Sequence, residues 1–145
     1  MQRDAGPGVR SRSAKTLAVA LSVPGYREFV FGAQAVHLPA LDGEYVIEPG
    51  HQELETALDI GVLTVRARGR QWLAALHGGT VRVRDDEVRL QAHALEFADR
   101  IDVTRARAAQ SDAAQRLTNN REDTDARAAL QRANLRLAVA ARIHP

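Results

Sequence analysis

The sequence contains no cysteine, a single lysine and few aromatic residues. Without cysteine, disulfide bonds and thiolate chemistry are excluded, and a reducing compartment is slightly favoured. The net charge is only +2, and the arginines are interleaved with acidic residues. Nucleic-acid binding usually needs a basic stripe, together with aromatic residues that stack on single strands. Aromatic residues make up only 4% of this chain, so we expect no nucleic-acid partner.

Long apolar runs are also missing. Spanning a bilayer takes about 20 apolar residues, whereas even the stretch 58–65 is interrupted by Asp59 and Gly61. Hydrophobic residues make up 45% of the chain and charged residues 26%, which is ordinary for a globular protein. We therefore expect association with a membrane only through a partner.

Signatures of catalysis and of metal binding are not evident. None of the histidines shows a ligand-like spacing such as an i, i+4 pair. The five are His37, His51, His77, His93 and His144. The Gly78-Gly79 pair lacks the Lys-Ser/Thr ending of a phosphate loop, and no serine lies in a Gly-x-Ser-x-Gly elbow. The sequence predicts a non-catalytic protein without a metal site or a required cofactor.

Turn signals divide residues 15–99 into short β-like runs, which predict an antiparallel β-sandwich. The turns include Pro24-Gly25, Pro49-Gly50, Gly78-Gly79 and Asp85-Asp86. The predicted strands are 16–22, 27–31, 33–38, 44–47, 60–66, 71–76, 80–84 and one from 87 onward. Residues 1–14 are rich in Gly, Arg and Ser without an apolar period, and are predicted to be a disordered tail.

Residues 100–145 are alanine-rich and predict an antiparallel helical hairpin. Two helices, 103–118 and 125–142, are separated by a polar turn. Asp102 is the predicted cap of the first, and Asp123 or Thr124 of the second. Each helix carries one stripe of mostly alanine at spacings of three and four. An alanine seam buries little apolar area, so the hairpin should be marginally stable by itself and mobile.

Several short motifs occur in a characteristic order along the chain. They are Gly43-Glu44, Pro49-Gly50-His51, Gly61-Val62-Leu63-Thr64-Val65-Arg66, Gly78-Gly79-Thr80-Val81-Arg82-Val83, Ile101-Asp102-Val103-Thr104-Arg105-Ala106, and Arg132-Ala133 with Arg136-Leu137. Together they cover roughly residues 16–142 and resemble the epsilon subunit of F-type ATP synthases. The resemblance implies the same fold, a β-sandwich followed by a two-helix hairpin.

The resemblance also implies a rotor component of the central stalk. The sandwich would bind the gamma subunit and the c-ring and couple ion-driven rotation to ATP synthesis. The hairpin would switch between a compact state and an extended state that reaches the alpha/beta catalytic head and inhibits ATP hydrolysis. The implied location is the cytoplasmic face of a bacterial inner membrane, or its organellar equivalent.

Glu44 and His51 are the residues that the resemblance marks as candidates for c-ring contact. By default, Pro49-Gly50-His51 is simply a turn. Near this segment Glu48, Gln52-Glu53 and Thr80 depart from the family's usual residues. The departures leave open a rival function, an epsilon-like module that binds a small ligand and is not assembled in the synthase. Co-purification with gamma and c subunits would separate the two functions.

A candidate site for ATP, as a regulatory ligand, follows from the same resemblance. In ATP-binding members the corresponding positions carry the nucleotide; here they are Glu96, Ile101, Asp102, Arg105, Ala106, Arg132 and Arg136. Asp102 is equally explained as a helix cap, and the arginines as solvated side chains. One family arginine on the first helix is Asp112 in this chain, and this reversal of charge opposes binding.

Overall fold

In the computed structural model, which describes residues 15–143, a β-structure precedes two helices. The tail predicted at 1–14 and His144 lie outside the described residues. The described strands are β1 (Leu17–Ser22), β2 (Phe29–Ala33), β3 (Ala35–Ala40), β4 (Gly43–Ile47), β5 (Leu54–Ala67), β6 (Arg70–Arg84), β7 (Glu87–Ala92) and β8 (Leu95–Phe97). A short 3-10 turn, Ala98–Arg100, leads to the helices α1 (Val103–Asn119) and α2 (Thr124–Ala141). Within residues 15–143, no helix combines the length and the apolar character needed to cross a membrane.

The strands pair in the order β2-β1-β7-β6-β5-β3-β4, and β8 pairs with β6. β5 and β6 form a long hairpin, and β6 pairs with β8 near its start and with β7 near its end. One buried cluster contains residues from both ends of β6, such as Ala74 and Val83. The structure confirms the predicted β-sandwich followed by a helical hairpin. One pair of strands is not antiparallel, namely β1 and β7, which run parallel to each other.

The pair Gly78-Gly79 does not end a strand, and in this respect the sequence prediction was wrong. The residues predicted as two strands form the single strand β6, because the two glycines bend the chain without reversing it. Their φ angles of +81° and +141° are values that favour glycine. β5 likewise begins at Leu54, earlier than the predicted 60.

The capping residues of both helices are those that the sequence predicted. The carboxylate of Asp102 accepts a hydrogen bond from the backbone N–H of Arg105 at 3.1 Å, and Asp123 accepts one from Ala126 at 2.9 Å. The hydrogen bond from Ala126, and then the guanidinium of Arg116, hold the pKa of Asp123 below its ordinary value. Because Arg116 is on α1, its ion pair with Asp123 at 3.1 Å ties the end of one helix to the start of the next.

The two helices meet along the predicted alanine seam. Ala106 and Ala113 of α1, with Ala126 and Ala133 of α2, are buried. A polar bridge crosses between the helices nearby, from Nε2 of Gln110 to Oδ1 of Asn134 at 2.7 Å. Small side chains let the helix axes approach closely, so the hairpin is held by many short contacts with little apolar area each.

A second, smaller apolar cluster joins the hairpin to the sandwich. It consists of buried residues from β6, from the segment before α1 and from the end of α2, namely Leu73, Ala75, Ala98, Ile101, Val139 and Ala140. The contact involves the C-terminal end of α2, close to the point where the chain leaves the sandwich. The described structure is therefore the compact arrangement of the hairpin.

Candidate functional site

The docked end of α2 places an arginine over the sandwich. Nε of Arg136 donates to Oε1 of Glu96 at 2.5 Å, in a contact in which both side chains are partly buried. Glu96 lies on β8 directly opposite Ala75 of β6, so its side chain shares a sheet face with Ala75 and with His77. Two members of the predicted ATP site are thus brought together, and they form an ion pair with each other.

His77 lies beneath this ion pair. Its side chain is 5% exposed, and its Nε2 is 3.5 Å from Oε1 of Glu96. Neither ring nitrogen has a hydrogen-bond partner among residues 15–143. Burial lowers the pKa of His77 below its ordinary 6.5, and the positive charges of Arg136 and Arg132 lower it further, while Glu96 opposes them. The docked helix therefore favours a neutral imidazole.

The other residues predicted for ATP are placed separately. Ile101 and Ala106 are buried, the first in the contact between α2 and the sandwich and the second in the seam. Asp102 caps α1. Arg105 is exposed and makes no ion pair with a described residue, and Asp112 is also exposed. Among the described residues of the predicted ATP site, Glu96 and Arg136 are the pair whose side chains contact each other, and Arg132 lies one helical turn before Arg136.

The segment 49–51 is a turn at one end of the sandwich, as predicted. The N–H of Gly50 donates to Oδ1 of Asp86 at 2.7 Å, which ties this turn to the one between β6 and β7. The N–H of His51 donates to the carbonyl of Glu48 at 3.1 Å. Glu44 is exposed on β4, and His51 is half-buried. Their contact with a c-ring stays a prediction.

The histidines within residues 15–143 differ in exposure. His37 and His93 are exposed, and His77 is buried. In the part of the chain that the structure describes, no group of three or more His, Cys, Asp or Glu side chains is arranged to hold a metal ion.

An apolar groove of about 700 Å³, lined by β2, the tip of the β5–β6 hairpin and residues 97–100, was not singled out by the sequence. The rings of Phe29 and Phe31 lie 5.1 Å apart along it. Trp72 is 41% exposed, and the guanidinium of Arg70 lies 5.0 Å from its ring. Among residues 15–143, β2 pairs only with β1. The signal was present in the alternation of Phe29 and Phe31, which places both rings on one side of a strand.

Comparisons with known proteins agree on one family. The model of the ATP synthase Delta/Epsilon chain β-sandwich domain matches residues 17–98. An ATP synthase epsilon chain from Synechococcus elongatus is 41% identical over 131 residues, covering 86% of this chain and 95% of the relative. One from Bacillus velezensis is 39% identical over 129 residues, covering 87% and 98%.

Solved structures show the same fold at lower identity. A chain in the cryo-EM structure of the Euglena gracilis mitochondrial ATP synthase (OSCP/F1/c-ring) has a TM-score of 0.66 and 16% identity, with coverage of 89% of this chain and 79% of that one. A chain of the Tetrahymena thermophila central stalk/c-ring structure has a TM-score of 0.56 and 18% identity, with coverage of 90% and 98%. At these identities the likeness supports the fold alone.

Proposed function

Since the chain belongs to the ATP synthase epsilon-chain family and is a non-catalytic subunit of that complex, we propose that its sandwich binds the gamma subunit and the c-ring while its hairpin regulates ATP hydrolysis. In this role the sandwich transmits ion-driven rotation to the catalytic head. The hairpin restrains hydrolysis when it extends along gamma towards the alpha/beta subunits. The complex would hold the chain at the cytoplasmic face of a bacterial inner membrane, or at its organellar equivalent.

The observation that carries the regulatory part is the small contact between hairpin and sandwich. From α2 and the residues just after it, this contact uses Val139 and Ala140, the partly buried Leu135 and Ile143, and one ion pair, Arg136 to Glu96. Full burial of a valine contributes about 1.5–3 kcal/mol, so the docked state is favoured by only a small margin. A switch between two states needs such a margin, because a partner can shift the balance only by its differential affinity.

The groove beside β2 is the surface that we assign to gamma. Phe29 and Val30 are 56% and 64% exposed there, and contiguous exposed apolar surface marks protein interfaces. The end of the sandwich that carries Glu44 and His51 is left for the c-ring.

Near the 49–51 turn, the residues that differ from those usual in the family alter the charge of the surface more than its structure. Glu48 lies 3.8 Å from Arg66, and Glu53 lies 3.4 Å from Arg84, in exposed pairs. Exposed pairs contribute about 0–1 kcal/mol. These substitutions therefore leave the fold intact but make the surface assigned to the c-ring more acidic.

A pull-down from native membranes tests this assignment. We expect the tagged chain to recover gamma and c subunits, and Phe29→Asp to reduce the recovery of gamma about tenfold or more, because a carboxylate in an apolar interface must be desolvated. Leu41→Asp is the control for gamma alone: Leu41 is 67% exposed, does not line the groove and lies near the end assigned to the c-ring, so this variant should leave the recovery of gamma unchanged. Recovery of neither gamma nor c subunits by the unmodified chain would favour the small-ligand module instead.

For ATP as a regulatory ligand, we propose that the isolated chain binds it weakly or not at all. Arg136 is already neutralised by Glu96, and Asp112 adds a negative charge where ATP-binding members have arginine. A change of about 1.4 kcal/mol corresponds to tenfold in affinity, and reversing one charge near a triphosphate easily supplies this much. We expect Asp112→Arg to tighten ATP binding about tenfold, measured by isothermal calorimetry.

Glu122→Arg makes the same change of charge in the exposed turn between the helices and serves as the control. Equal gains in both variants would show that only overall charge matters. Tight binding by the unmodified chain would contradict the argument from Asp112.

A further inference from the structure

His77 is the one buried ionisable side chain among residues 15–143. Its Nδ1 has no hydrogen-bond partner in that part of the chain, and its Nε2 has only the 3.5 Å approach to Oε1 of Glu96. Buried polar atoms in native proteins are nearly always paired, and an exception needs an explanation.

The charged groups that face His77 come from two elements. Glu96 lies on β8, and Arg132 and Arg136 lie on α2. The ring of His93, in the loop before β8, lies beyond Gly78: its Nδ1 is 3.1 Å from the point that a Cβ on Gly78 would occupy. Two fixed positive charges thus face one negative charge. A proton on His77 would add a third positive charge in a buried place.

His77 and Arg136 also share a single acceptor atom. Oε1 of Glu96 is 2.5 Å from Nε of Arg136 and 3.5 Å from Nε2 of His77. A protonated imidazole would compete with the guanidinium for this oxygen. Protonation of His77 therefore weakens the ion pair that ties α2 to the sandwich.

Release of the hairpin makes the surroundings of His77 more favourable to its protonated form. Glu96 belongs to the sandwich and stays beside His77, whereas Arg132 and Arg136 leave with α2. The imidazole also gains access to water. Loss of two positive charges and gain of solvation each raise the pKa of His77 in the released state, and the carboxylate that stays beside it continues to favour the protonated form.

From this geometry we infer that His77, Glu96 and Arg136 form an acid-sensitive latch, which holds the hairpin on the sandwich while His77 is neutral and releases it when His77 takes up a proton. The docked state, whose His77 pKa lies below 6.5, binds fewer protons than the released state. Docking is therefore fully favoured above the pKa of the released state and weakens as the pH falls through it, levelling off below the docked value. Acidification would then extend the hairpin and stop ATP hydrolysis, a consequence that rests on the proposed function.

Because the chain has no cysteine, two labels report the position of the hairpin directly. Ala57→Cys on β5 and Gln131→Cys on α2 both lie at exposed positions. Spin labels there, measured by double electron–electron resonance, should give one defined distance at about pH 8 and a growing broad population at about pH 5.5. We expect the ratio of docked to released chains to fall several-fold between these two pH values, because the docked state binds fewer protons.

The same measurement on His77→Gln isolates the proton. Glutamine cannot take up a proton in this range, so this variant should keep the docked distance throughout; His77→Ser serves if the first variant folds poorly. A pH profile in either folded variant that matches the unmodified chain would overturn the inference, as would a docked fraction in the unmodified chain that does not change with pH. Circular dichroism of the β-structure shows which variants are folded.

A nuclear magnetic resonance titration supplies a readout that a merely structural histidine would not move. Arg136→Gln should raise the pKa of His77, whereas Arg107→Gln, at an exposed position on α1, should leave it unchanged. Equal titration in both variants would overturn the latch. A latch that responds to pH, in a reconstituted synthase whose hydrolysis is the same with His77→Gln, would support the inference while contradicting the inhibitory role in the proposed function.

Discussion

Gly79→Ala is expected to lower the free energy of unfolding by roughly 3 kcal/mol or more. Gly79 has a φ of +141°, and a Cβ at this position would lie 2.0 Å from the backbone oxygen of Gln91 on the neighbouring strand β7. A strained backbone conformation costs about 1–3 kcal/mol, and overpacking a core costs about as much again. Because the obstacle is backbone in a paired strand, a change of rotamer cannot relieve it. Denaturant unfolding followed by circular dichroism measures the loss.

Gly43→Ala is the matched control for this substitution. Gly43 has a nearly equal φ of +131°, but a Cβ there would meet nothing within 4 Å. Its replacement therefore measures the backbone strain alone, and the difference between the two variants measures the collision with β7. Equal losses in the two variants would show that close packing at the bend of β6 is unimportant.

Val139→Asp is expected to release the hairpin while leaving the sandwich folded. Val139 is fully buried against the sandwich, and an unpaired carboxylate in such a place costs roughly 3 kcal/mol or more. This corresponds to a change of about 100-fold in the ratio of docked to released chains. The spin-label distance between the sandwich and α2 should therefore broaden at every pH.

In a reconstituted synthase, Val139→Asp should also slow ATP hydrolysis, because a released hairpin is free to extend. Ala138→Asp introduces the same charge one residue earlier, at an exposed position, and should change neither the distance nor the rate. A released hairpin without any effect on hydrolysis would show that extension is not inhibitory.

The features that the sequence predicted well are local ones. Helix caps such as Asp102 and Asp123 depend on hydrogen bonds within three residues, and the alanine seam follows from helical spacing alone. The bend at Gly78-Gly79 was mistaken for a turn because a glycine pair suits both. Whether the glycine pair forms a bend within a strand or a turn between two strands depends on the pairing of β6 with β7 and β8. These strands lie elsewhere in the sequence. The parallel pairing of β1 with β7 likewise joins strands that are distant in the chain.

The candidate site could be predicted only in part for the same reason. The resemblance singled out Glu96 and Arg136, but their contact with each other depends on how α2 docks. His77 carried an overlooked signal in the pattern of its strand. Ala74 and Leu76 face the sandwich core, while Leu73 and Ala75 face the hairpin, so β6 is apolar on both faces. A strand of this kind is covered on both sides, which predicts a buried environment for a histidine in the same run.

The hairpin acts as a lever, because the docking contact lies close to the point about which the hairpin would swing. Val139 and Ala140 pack beside Ile101, where the chain leaves the sandwich, whereas the turn between the helices lies at the far end of α2. With 18 residues at about 1.5 Å each, this arm is about 27 Å long, and a swing of about 30° moves its tip by about 14 Å. A force at the tip therefore acts on the docking contact with a large mechanical advantage, so that a weak pull from a neighbouring subunit is enough to break this contact.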